Sequence, residues 1–122
     1  MCYRMSYYTG MENTTQTLVK DLTSSASALK VAKETFTKAS IAQIKAERIL
    51  NNARNLAIVE GKATGSNESQ RNASLAQILS KEIKALDSAS DKLTLAKLSM
   101  DLAYIDHQTT RYAIKAIAVT ED

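Results

Sequence analysis

The chain contains no proline, no tryptophan, one phenylalanine and three glycines in 122 residues. A β-sandwich or barrel needs turn residues roughly every 8–12 positions, so this scarcity excludes a β-rich fold. One cysteine, Cys2, excludes an intrachain disulfide. One histidine, His107, is poor equipment for a zinc site, which takes three or four protein ligands. No apolar run approaches the roughly 18 residues of a membrane span. Residues 1–10 hold Arg4, Ser6, three tyrosines and Gly10 in place of an apolar signal segment. Together these absences lead to an expected cytoplasmic, all-α protein with no membrane partner, no metal site and no cofactor. No catalytic constellation is visible, so the chain is expected not to be an enzyme. Cys2, in the leader, reads as incidental.

What is present is enough to fold. Hydrophobic residues make up 44% of the chain and charged residues 24%, too apolar for intrinsic disorder, and the length suits one domain. The glycines punctuate it. Gly10 closes a tyrosine-rich leader, expected to be flexible over residues 1–12. Gly61 and Gly65 bracket a turn over residues 61–66. Asn13 with Gln16, and Asn67 with Gln70, have the spacing of a capping box, in which two orphan N–H groups are satisfied reciprocally. Helices are therefore expected over 13–60 and 67–118, with Gly61 as the left-handed residue ending the first. The sequons at Asn13, Asn67 and Asn72 read as polar helix starts, since no secretory segment accompanies them.

Helices of this length need a long apolar seam. One ladder of the first helix reads Leu22, Leu29, Phe36, Gln43, Leu50, Ala57, and its companion Leu18, Ser25, Ala32, Ala39, Ala46, Ala53. The second helix carries Leu79, Leu86, Leu93, Met100, His107, Ile114 and Leu75, Glu82, Ala89, Ala96, Ala103, Thr110, Ile117. This is the a/d repeat of a coiled coil. Folding back at the turn pairs Phe36 with Leu93 and Leu50 with Leu79, and separately Ala32 with Ala96 and Ala39 with Ala89. Large meets large and small meets small, which predicts a long antiparallel two-helix coiled-coil hairpin.

The seam leaves apolar residues over. Leu95, Leu98, Leu102, Ile105 and Tyr112 form a stripe facing away from it, as do Ile41 and Ile44 on the first helix. Contiguous apolar surface of this kind usually marks an interface, and two helices alone bury little core. Self-association through these residues is expected, as a homodimer forming a four-helix bundle or a higher oligomer. The competing reading folds the leader over the stripe, since Tyr3, Tyr7 and Tyr8 stand at the open end of the hairpin.

Charge is unevenly spread. Between residues 30 and 54, Lys30, Lys33, Lys38, Lys45, Arg48 and Arg54 face only Glu34 and Glu47, net +4, whereas from Asn67 onward the net is −1. Lys38, Lys45 and Arg48 lie off the seam and are candidates for weak contact with nucleic-acid phosphates. A solvated helix face accounts for them equally, and the aromatic stacking partners of single-strand binders are missing. Two seam positions are polar. Glu82 falls opposite Ala46, near Lys45 and Arg48, and His107 falls opposite Leu22. A bundle di-metal site would require Glu-x-x-His motifs, and none exists; polar a/d residues that set register or oligomer state explain both.

The stretch Gly61-Lys62-Ala63-Thr64-Gly65-Ser66-Asn67-Glu68-Ser69-Gln70-Arg71 resembles the turn of short, uncharacterised helical-hairpin proteins of bacteriophages and prophages. The resemblance covers about residues 45–117 and continues through Leu93-Thr94-Leu95-Ala96-Lys97-Leu98. It implies a non-catalytic phage or mobile-element protein in the cytoplasm of a bacterial host. That protein would bind an unidentified protein partner, accessory to DNA replication or recombination. The alternative function is inhibition of a host defence system, by protein binding or by sequestering a small ligand between subunits.

Overall fold

A computed structural model gives an all-helical chain of three helices, α1 (Cys2–Val59), α2 (Glu68–Ile78) and α3 (Ser80–Glu121), with no strand among the described residues. The structure describes the backbone of residues 2–121 and the side chains of residues 14–118. Expectations that rest on Cys2, Tyr3, Tyr7 and Tyr8 as contacts therefore lie outside the described side chains. α1 runs through Asn13, the expected helix start. A glycine inside a helix, such as Gly10, costs only about 0.5–1 kcal/mol relative to alanine.

The described residues divide into two compact units, Thr35–Lys97 and a second made of Met1–Glu34 with Leu98–Asp122. In the first, α1 ends in a Schellman motif: Lys62 N–H donates to the Ala57 carbonyl at 2.9 Å and Gly61 N–H to Ile58 at 3.1 Å. Gly61 has φ +73°, the left-handed conformation that this motif demands and that side chains resist. Gly65 has φ +139°, and a Cβ there would stand 2.5 Å from Gln70 Cβ. Asn67 caps α2, its side-chain oxygen accepting from Gln70 N–H at 2.8 Å. Gln70 Oε1 accepts in return from the N–H of Ser66 at 2.8 Å, one residue before the position that a capping box prescribes. Ser74 ties the turn to α2, accepting from Thr64 N–H at 3.3 Å and donating to the Lys62 carbonyl at 3.5 Å.

Beneath this turn lies the densest core of the unit: Ala57, Leu75 and Leu79 are buried, with Leu50, Ala53, Ala63 and Ile83 packed against them. Fully burying a leucine contributes about 1.5–3 kcal/mol, so Leu75 and Leu79 anchor α2 to α1. The helix expected over 67–118 is interrupted at Leu79, whose φ of −96° and ψ of 16° leave the helical range. Neither glycine nor proline stands there. Ile83 N–H still donates to the Leu79 carbonyl at 2.9 Å, so the chain re-enters a helix at once as α3. Further from the turn, Gln43 Nε2 donates to Ser90 Oγ at 3.1 Å and joins α1 to α3.

In the other unit, Leu18, Leu22, Ser25, Leu29 and Ala32 of α1, and Met100, Ala103, His107, Thr110, Ile114 and Ile117 of α3, are half-buried. Ser25 and His107 join the two helices by a hydrogen bond of 3.0 Å. Over the whole described chain, every position of the heptad ladders is buried or half-buried. On α1, Ser40 is the one other described side chain that is not exposed. No described side chain is completely enclosed. Among the described residues, no helix is long and apolar enough to cross a membrane.

Candidate functional site

Three surface features carry the candidate residues. The first is a ridge on α3. Leu98, Leu102 and Ile105 are 54–58% exposed and Tyr112 is 65% exposed. At 3.6 residues per turn these four positions share one face of the helix. Lys115 Nζ stands 5.9 Å from the Tyr112 ring centroid, within cation–π range. All four belong to the unit that contains Leu98–Asp122. Leu95, also exposed, belongs to the Thr35–Lys97 unit, as do the exposed Ile41 and Ile44 of α1.

The second feature is a groove of about 340 Å³ within the Thr35–Lys97 unit, lined by Leu50, Asn51, Arg54, Asn72, Leu75, Ala76, Leu79 and Ile83. Its floor is apolar because it is the outer surface of the Leu75–Leu79 core. Arg54 is its one charged lining residue and has no acidic partner among the described residues. Sequence reasoning placed Leu50, Leu75 and Leu79 in the seam and did not see the groove. The available signal is Ile83, an apolar residue outside both ladders beside Leu79. Asn72, matched as a sequon, lies on the groove wall.

The third feature is polar. Lys38, Lys45 and Arg48 are exposed on α1 of the Thr35–Lys97 unit. Their spacing of seven and three residues puts them on one face, with the exposed Ile41 among them. Glu82 is half-buried, and neither Lys45 nor Arg48 pairs with it. Ser25 Oγ donates to the Leu22 carbonyl at 3.0 Å and stands 3.0 Å from His107 Nδ1. A hydroxyl has one proton, so toward the ring Ser25 accepts, and Nδ1 carries the hydrogen. Among the described residues, no three His, Cys, Asp or Glu side chains gather into a metal-holding group.

The Thr35–Lys97 unit has ten basic and six acidic residues, net +4, and the other has six basic and seven acidic, net −1. Lys62 and Glu60 form an ion pair of 2.8 Å at the turn. No protein-family model, curated protein or solved structure matches the chain.

Proposed function

We propose that the chain is a non-catalytic helical-hairpin interaction protein of a bacteriophage or mobile element. In this reading it associates with itself, binds a protein partner and serves as an accessory to DNA replication or recombination. The two arms pair as an antiparallel coiled coil, and two or more copies assemble into a four-helix bundle or larger oligomer in the bacterial cytoplasm. The resemblance of the Gly61–Arg71 stretch to phage helical hairpins supports the biological setting, and the burial of every ladder position supports the coiled coil.

The observation that carries self-association is the α3 ridge, whose large aliphatic side chains are more than half exposed. Light scattering of the wild type at micromolar concentration should report at least a dimer, and Leu102→Glu should lower that mass while leaving the helical content unchanged. A monomeric wild type would end this reading.

A further inference from the structure

The ridge and the groove lie on different units and carry opposite local charge. Leu98, Leu102 and Ile105 project from α3, and the groove lies in a unit of net charge +4. Asp101 and Asp106, both exposed, flank the ridge. On the helical wheel they fall about 60–80° to either side of Leu98. The groove presents an apolar floor and one cation without an acidic partner, Arg54. Its volume of about 340 Å³ is roughly twice that of a cavity that accepts benzene, room for about two or three leucine-sized side chains.

We propose that this groove is the seat of the Leu98–Leu102–Ile105 ridge of a second copy of the chain, with Arg54 at its rim meeting Asp101 or Asp106 of that copy. The inference rests on the self-association proposed above and names its register, ridge into groove. Ridge against ridge would bring the flanking aspartates of two copies together and leave the floor over Leu75 and Leu79 wet. Ridge into groove covers both apolar surfaces and joins opposite charges, the arrangement that sets register at interfaces.

The test is complementation between two defective chains. Ala76→Glu puts a charge on the exposed wall of the groove and leaves the ridge intact; Leu102→Glu spoils the ridge and leaves the groove intact. Each alone should lower the mass seen by light scattering at micromolar concentration, with helical content unchanged by circular dichroism. Mixed in equal amounts, they should recover a heterodimer, since one good ridge then meets one good groove. Arg54→Glu provides a second probe. It should weaken the dimer roughly tenfold, and adding Asp101→Arg and Asp106→Arg to the same chain should restore it. A wild type that assembles normally but is indifferent to Ala76→Glu and Arg54→Glu, or a mixture that stays dispersed, overturns the ridge-into-groove register and leaves self-association standing. A monomeric wild type overturns both.

Discussion

Ser25 accepts a hydrogen bond from Nδ1 of His107 across 3.0 Å while donating its own proton to the Leu22 carbonyl. The two side chains are half-buried on facing helices, at positions where the heptad repeat calls for apolar residues. Ser25→Ala should strip the ring N–H of its partner and destabilise the fold by about 1–3 kcal/mol. Replacing both, Ser25→Ala with His107→Leu, should return stability to the wild-type level or above, because two matched apolar groups leave nothing unsatisfied. Urea melts of the two singles and the double close this cycle. Nitrogen NMR of the neutral ring should show the hydrogen on Nδ1.

The two turn glycines should differ in cost. Gly61 has φ +73° with open space around it, so Gly61→Ala meets only the left-handed backbone penalty, about 1–2 kcal/mol. At Gly65 a new Cβ meets the strain of φ +139° and also Gln70 Cβ at 2.5 Å. Gly65→Ala should therefore lower the melting temperature more than Gly61→Ala. The reverse order would show that this turn rearranges at little cost.

Asn67→Ala should cost about 1 kcal/mol, because Gln70 N–H loses its acceptor. Asn67→Gly should cost only a few tenths. Leu79→Ala, in the core, should cost about 2–5 kcal/mol. Denaturant midpoints of these three variants rank the cap against the core.

Paired cysteines at positions 39 and 89, in a Cys2→Ser background, should crosslink within one chain. Ala39 and Ala89 are half-buried ladder residues of the same unit. Intramolecular crosslinking of position 39 to residue 75 in place of 89 would refute the proposed pairing of the arms.

Any nucleic-acid binding should be weak, salt-sensitive and borne by Lys38, Lys45 and Arg48, which are exposed on one face of the basic unit. The triple alanine variant should bind every duplex sequence less tightly. Its slope of log affinity against log salt should flatten by about 0.9 per lost phosphate contact. Unchanged affinity in a gel-shift titration would remove these residues from any such role.

Much of this architecture is local and therefore legible in the sequence. The ladders from Leu18 to Ala57 and from Leu75 to Ile117 mark the residues shielded from solvent, because helical periodicity alone decides which side chains share a face. Gly61 ends α1 and Asn67 begins α2 for equally local reasons: a positive φ and a short acceptor side chain beside an orphan N–H. Sequence alone also brought out the exposed ridge, since Leu98, Leu102 and Ile105 fall outside both ladders. The interruption at Leu79 was not legible, for no glycine or proline announces it and the residue sits where Ala57 and Leu75 bury it. Nor was the groove, whose walls come from α1, α2 and α3 at sequence separations that periodicity does not relate. The pairing of Ser25 with His107 likewise belongs to the tertiary structure. A repeat of seven specifies which face of a helix is covered; which polar atoms meet across that face, and where the cover is left open, depends on how helices distant in the chain fit together.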